Sequence, residues 1–206
     1  MVLRMSDKYF VFTGRPNAGK SSVIREVVGL DVVVGKRPGT TRRISKYPLI
    51  RGLVLVDTPG FGTMLGTSRH FQNKKKDELI GFLTYNAASV ILAVHVLDIS
   101  TFSEVTCRLE NKGFISLDVE MVQFLTKTLG ELPMVAANKI DKTNRQELES
   151  NLEEFKLQLG ETHPFVIGEQ IFPVSTRTGE GLADLKNAIN SKLVAKGYKT
   201  PFIKAK

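Results

Sequence analysis

The stretch Tyr9-Phe10-Val11-Phe12-Thr13-Gly14-Arg15-Pro16-Asn17-Ala18-Gly19-Lys20-Ser21 joins an apolar run to the pattern GxxxxGKS. An apolar strand that leads into a glycine-containing turn and then a helix is the setting this pattern requires. The glycines let the backbone curl, so that successive N–H groups point at phosphate oxygens. The helix expected to begin near residue 20 adds its positive N-terminal end. The stretch therefore predicts a nucleoside triphosphate site.

Two side chains of this loop have separate predicted roles. Lys20 is expected to reach the β- and γ-phosphates, and the Ser21 hydroxyl is expected to ligate Mg²⁺. The predicted nucleotide contacts of the whole loop are Gly14, Arg15, Pro16, Asn17, Ala18, Gly19, Lys20, Ser21 and Ser22.

The identity of the base in the bound nucleotide is predicted by Asn138-Lys139-Ile140-Asp141, which follows the apolar run 133–137. Asp141 would accept two hydrogen bonds from guanine N1–H and the exocyclic amine, a donor pair that adenine lacks. A polar match of this kind discriminates by roughly 10⁴–10⁵. Lys139 would lie along the base, and Asn138 would tie this loop to the phosphate loop. The expected ligands are therefore GTP and GDP.

The segment Asp57-Thr58-Pro59-Gly60 ends the apolar run 53–56. An acid in this position is expected to hold Mg²⁺ through a water molecule. The Gly60 N–H is expected to meet the γ-phosphate.

Two further segments complete the predicted site. Gly39, Thr40 and Thr41 supply a hydroxyl for the Mg²⁺, for which Thr41 is preferred over Thr40. Ser175, Thr176 and Arg177 follow the strand 171–174, and their backbone would contact guanine O6.

The motifs between residues 14 and 179 resemble those of a GTPase domain, both in their order along the chain and in the apolar strands that they follow. GRPNAGKS, PGTTR and DTPG resemble the TrmE-Era-EngA-EngB-septin-like class. The segments DTPGFG and GKRPG are similar to the EngB group, also called YihA or YsxC. The stretches 109–113 and 117–120 resemble its archaeal members. The resemblance implies GTP binding and hydrolysis and, for bacterial members, assembly of the large ribosomal subunit. Pro16 and Thr176 depart from the usual pattern at positions where backbone contacts are expected.

Hydrolysis by a protein of this type is expected to be slow. Ras-like enzymes carry a water-orienting glutamine after the DxxG segment, where this chain has Phe61. The expected catalytic contributions come from Lys20, Thr41 and Gly60. In related GTPases an asparagine at the position of Asn17 helps to hold K⁺ near the phosphates. Alternatively, Asn17 satisfies only the loop backbone, and both interpretations stay open.

Alternating strand and helix patterns predict an α/β fold, the P-loop NTPase architecture of a Ras-like G domain. We expect a mostly parallel six-stranded sheet with helices on both faces, and the hairpin 44–57 adds one antiparallel edge strand. Residues 98–117 interrupt the pattern and are expected to form an insertion. The expected organisation is one EngB-type G domain over 1–206, with core 8–195 and a basic tail 196–206. The predicted strands are 8–13, 44–50, 53–57, 90–96, 133–137 and 170–174, and the predicted helices are 20–28, 72–87, 118–129, 144–159 and 180–195.

Composition favours a cytoplasmic protein without a membrane span, expected to be a monomer. The sequence has no run of about 18 apolar residues and no apolar stretch of a secretory signal near residue 1. Cys107 is the only cysteine, which indicates a reducing cytosol and an ordinary thiol. His70, His95 and His163 have no metal-ligand spacing.

The charge of +8 predicts a polyanionic partner. Basic residues concentrate in 36–46, in Lys74-Lys75-Lys76 and in the tail, although such runs are often solvated faces. We expect a GTPase switch that binds rRNA and aids large-subunit assembly, with salt-dependent binding. The alternatives are a membrane-surface or division-linked (septation) GTPase, whose basic charge would meet anionic lipid, and a tRNA-linked module.

Overall fold

The computed structural model describes residues 7–30, 43–61, 69–111, 113–160 and 168–198, with only the backbone for 69–75. The predicted switch residues Gly39, Thr40 and Thr41 lie outside the described residues, as does the tail beyond residue 198. The strands are β1 (Lys8–Gly14), β2 (Ser45–Ile50), β3 (Leu53–Asp57), β4 (Val90–Asp98), β5 (Met134–Asn138) and β6 (Ile171–Val174). The helices are α1 (Lys20–Val28), α2 (Arg69–Tyr85), α3 (Phe102–Glu110), α4 (Leu117–Leu129), α5 (Arg145–Leu159) and α6 (Leu182–Ala195).

The strands form one six-stranded sheet in the order β2-β3-β1-β4-β5-β6. Every neighbouring pair is parallel except β2 and β3, which pair antiparallel at the edge. The predicted sheet and its antiparallel edge strand are confirmed.

Each strand sends alternate side chains to opposite faces, and helices cover both. In β1, Phe10 and Phe12 pack in the core beneath α1 and α6. Val11 points to the other face, where it joins Leu79 of α2 and Leu125 of α4. Farther along that face, α3, α4 and α5 share a third apolar cluster. None of the helices in the described part of the chain is long and apolar enough to cross a bilayer.

The segment expected as an insertion, 98–117, contains the helix α3, which the sequence analysis did not predict. Phe102 packs edge-to-face on Phe155 of α5, with ring centroids 5.1 Å apart. The Asn151 amide donates to the Ile99 carbonyl at 2.9 Å and accepts from the Ser103 hydroxyl at 2.5 Å. These contacts make the segment part of the packed face beside the sheet.

Candidate guanine nucleotide site

The predicted motifs meet at one edge of the sheet because they follow the carboxyl ends of parallel strands. Gly14 ends β1, Asp57 ends β3 and Asn138 ends β5, while Ser175 follows β6 directly. In an open α/β sheet this edge is where ligands bind.

The loop between β1 and α1 has the shape that a phosphate cradle needs. Asn17 and Gly19 have positive φ angles of 66° and 94°, which turn the backbone sharply. At Gly19 a side chain would collide with the amide of Asn138. The helix α1 begins at Lys20 with no acidic residue in its first turn, so its positive end remains available to an anion.

Lys20 and Asp57 form a buried ion pair at the base of this loop. Their side chains are 6% and 3% exposed. Burial lowers the pKa of Lys20, and the attraction of Asp57 opposes that effect. The Lys20 ammonium is thus shielded from solvent, where its electrostatic attraction to a phosphate is much stronger than in water.

The oxygen donors available here fit Mg²⁺, which binds through one or two protein groups together with substrate phosphates. The buried Asp57 carboxylate and the Ser21 hydroxyl beside Lys20 are of the required type. Among the described residues no group of three or more His, Cys, Asp or Glu side chains could hold a metal. A bound Mg²⁺ would neutralise part of the charge on the phosphates.

The DTPG segment lies against the phosphate loop. Thr58 is fully buried, and its hydroxyl donates to the Phe12 carbonyl at 2.8 Å, so it fixes the segment to β1. A side chain at position 60 would come within 2.8 Å of the Pro16 nitrogen, so only glycine allows this approach. Phe61 is 3% exposed and packs in the core with α2 and α4.

Asn138 connects three of the loops that the sequence assigns to the nucleotide, which are the phosphate loop, the loop 138–141 and the loop 175–177. It is 1% exposed, and its amide donates to the Ala18 carbonyl at 2.9 Å. Its carbonyl accepts from the Thr176 N–H at 3.2 Å. The predicted tie to the phosphate loop is therefore present in the structure.

Ser175 organises the loop that faces Asp141. Its hydroxyl donates to Asp141 Oδ1 at 2.5 Å and accepts from the N–H groups of Arg177 and Thr178. This hydrogen bond holds the pKa of Asp141 below its ordinary value, and Arg177 Nε, 3.3 Å from Oδ2, acts in the same direction. Asp141 is therefore kept charged.

Asp98 at the end of β4 is a site residue that the sequence analysis missed. Lys139 has a left-handed φ of 72°, and its ammonium lies 2.5 Å from Asp98 Oδ2. The other carboxylate oxygen accepts from Ser100. An acid at the end of an apolar strand was the signal that identified Asp57, and the same signal is present at Asp98.

A buried polar cluster that reaches the phosphate loop was also not predicted from the sequence. His95, in the middle of β4, contacts Thr13 and Asp118, and Asp118 pairs with Arg15. A single histidine inside an apolar strand gives no sequence signal of its partners.

Comparison with known proteins agrees with this geometry. Residues 9–139 match the family model described as 50S ribosome-binding GTPase. The "Probable GTP-binding protein EngB" of Methanopyrus kandleri is 41% identical over 191 residues, which cover 91% of this chain and 93% of that protein.

Solved structures show the same relationship. The crystal structure of a probable GTP-binding protein EngB superimposes with a TM-score of 0.76 at 33% identity, covering 91% of this chain and 99% of that chain. The G domain of Era shares the fold, with a TM-score of 0.58 at 21% identity over 90% of this chain and 56% of the Era chain. The sequence motifs, the sheet and these relatives together show that the chain belongs to the EngB family of GTP-binding, GTP-hydrolysing proteins.

Proposed function

We propose that this chain is a GTP-controlled switch that binds rRNA of the large ribosomal subunit and aids its assembly in the cytoplasm. The observation that carries the proposal is the link between the nucleotide loops and a basic helix. Phe61 follows DTPG directly and packs with Leu79 and Leu83 of α2. The same helix carries Lys74-Lys75-Lys76. A change at DTPG can therefore move a helix that carries three consecutive lysines.

Among the described residues, part of the charge in the basic zones named from the sequence is paired. Lys76 lies 3.6 Å from Glu120, and both side chains are partly exposed. Lys192 and Lys196 both pair with Glu131, so the start of the tail zone offers less free charge than the sequence indicated. We take α2, which packs on Phe61 directly after DTPG, together with the basic residues of 36–46, as the RNA-binding surface.

The proposed cycle uses the predicted ligands of the nucleotide. Ser21 and Thr41 would hold Mg²⁺ directly and Asp57 through a water molecule, and Asn17 would hold K⁺ if turnover depends on that ion. In the GTP state the γ-phosphate engages Gly60 and orders the basic loop, which favours RNA docking. Hydrolysis removes these contacts and releases the protein.

Two of the comparisons support this proposal. The matching family model is described as a 50S ribosome-binding GTPase. Era, of whose chain this fold covers 56%, was crystallised with MgGDPNP and a segment of 16S ribosomal RNA, which is an example of a protein containing this fold in a complex with ribosomal RNA.

Co-sedimentation with archaeal large subunits tests the proposal. We expect more protein in the pellet with a non-hydrolysable GTP analogue than with GDP, and less as salt rises. Changing Lys74, Lys75 and Lys76 to glutamate should abolish pelleting while leaving GDP affinity unchanged.

The matched control changes Arg108, Arg145 and Lys156 to glutamate, which alters the charge equally at exposed positions on α3 and α5. This control should still pellet with the subunits. Equal loss in both triple variants, or pelleting that ignores the nucleotide, would contradict the proposal. Binding to anionic vesicles in place of subunits would favour the membrane-surface alternative.

A further inference from the structure

A buried chain of polar contacts runs from β1 through β4 to α4 on one face of the sheet, behind the phosphate loop. His95 is fully buried, with Nδ1 3.0 Å from the Thr13 hydroxyl and Nε2 3.0 Å from Asp118 Oδ1. Asp118 is 4% exposed, and its second oxygen lies 3.5 Å from the Arg15 guanidinium. The cluster thus joins β1, β4, α4 and the phosphate loop.

The direction of the Arg15 side chain shows what the cluster does to the phosphate loop. Arg15 lies directly after Gly14, yet its guanidinium is paired with Asp118 on α4. The Arg15 carbonyl meanwhile accepts from the Ala18 N–H at 3.3 Å inside the loop. Asp118 therefore contacts the phosphate loop through the Arg15 side chain, and the Arg15 carbonyl accepts the hydrogen bond that closes the turn of this loop.

The same histidine contacts the other nucleotide loop. The ring of Phe61, the residue after DTPG, lies against the His95 ring, with centroids 6.0 Å apart. Both rings are buried, and a packed interior transmits small displacements because it has few voids. The His95 side chain thus touches the residue after DTPG and, through Asp118, the phosphate loop.

An ordinary core position does not require this arrangement. A buried carboxylate and imidazole cost free energy unless they are well paired, and an apolar pair of similar volume would often be equally stable. A positioning role gives a reason for the polar pair, because hydrogen bonds fix direction as well as distance.

We propose that His95 and Asp118 are positioning residues for GTP hydrolysis: together they fix Arg15 of the phosphate loop relative to Phe61 of the DTPG segment. Phe61 is turned into the core, so alignment of the γ-phosphate with the attacking water falls to backbone groups of these two loops. A misplacement of about 1 Å can slow a reaction by up to about a hundredfold.

Steady-state GTP hydrolysis by Asp118→Asn and His95→Leu tests the proposal, because Asp118→Asn preserves shape and removes the charge. Each variant should lower kcat by about tenfold or more while KM and GDP affinity change less than about twofold. The double variant should be no slower than the slower single variant, because both changes break one unit.

Leu193→Ala is the control for lost stability. Leu193 is buried near the end of α6, and Tyr198, which follows that helix, donates to the Leu193 and Gly52 carbonyls at the opposite edge of the sheet. This control should keep kcat at a comparable loss of stability. If His95→Leu does not fold, the comparison of Asp118→Asn with the control decides the proposal. The proposal would be overturned if Asp118→Asn and the control had equal kcat. It would also be overturned if the fold-reduction in kcat of the double variant equalled the product of the two single-variant reductions.

Discussion

Replacing Asn138 by alanine tests the connection between the three nucleotide loops. The change removes the amide that donates to the Ala18 carbonyl at 2.9 Å and the oxygen that accepts from the Thr176 N–H at 3.2 Å. Both partners are left without that hydrogen bond in a buried place. Each such loss costs about 1–2 kcal/mol, so the free energy of unfolding should fall by about 2–4 kcal/mol. For a chain of this length the melting temperature should fall by roughly 5–15 °C.

The same change should weaken GDP binding. Without the Asn138 hydrogen bonds the loops are no longer tied together, so GDP binding must order them. An ordering cost of about 1.4 kcal/mol corresponds to a tenfold weaker Kd for GDP. Calorimetry with GDP and Mg²⁺ measures this effect, and urea unfolding without nucleotide measures the stability.

Asn144→Ala provides the matched control. Asn144 caps α5 by accepting from the Glu147 N–H at 2.9 Å, and losing this cap should cost about 1 kcal/mol. GDP affinity should not change in this variant. The reasoning is refuted if Asn138→Ala keeps wild-type stability and GDP affinity, or if Asn144→Ala weakens GDP binding equally.

Three further predictions concern single side chains of the site. Asp141→Asn should shift preference from GTP toward xanthosine triphosphate in competition assays, and an unchanged preference would count against guanine recognition by this carboxylate. Lys20→Ala should abolish GTP turnover and, by leaving Asp57 buried without its partner, lower the free energy of unfolding by about 3 kcal/mol in urea; full activity would refute the assignment. Because Ser175 lowers the pKa of Asp141, the carboxylate should stay charged until the pH falls to that lowered value. Ser175→Ala should move the protonation of Asp141 to higher pH in an NMR titration of its carboxyl carbon, and an unmoved midpoint would show that the hydrogen bond is not the cause.

Much of the fold could be predicted because its signals are local. An apolar run followed by a motif marks the end of β1, β3, β5 and β6, and parallel strands bring those ends to one edge. The helix α3 was missed because its stability comes from tertiary contacts. Phe102 on Phe155 and the Asn151 hydrogen bonds join residues about fifty positions apart in sequence.

The site residues also fall into those that a local sequence motif reveals and those that only tertiary packing brings together. Asn138 and Asp141 belong to a short motif whose spacing reveals their roles. Asp118 stands at the start of α4, where an acid is common because it stabilises the helix dipole. Its contact with His95 depends on how α4 packs against β4, which sequence spacing does not reveal. Asp98 could have been found, since it ends a strand as Asp57 does.

The most direct test of the account is equilibrium binding of GDP and ADP to the purified chain in Mg²⁺ buffer, measured by calorimetry. The account predicts one GDP per chain and ADP binding weaker by about 10⁴-fold or more, because adenine cannot satisfy Asp141. Equal affinities for the two nucleotides, or no detectable GDP binding by the folded protein, would contradict it.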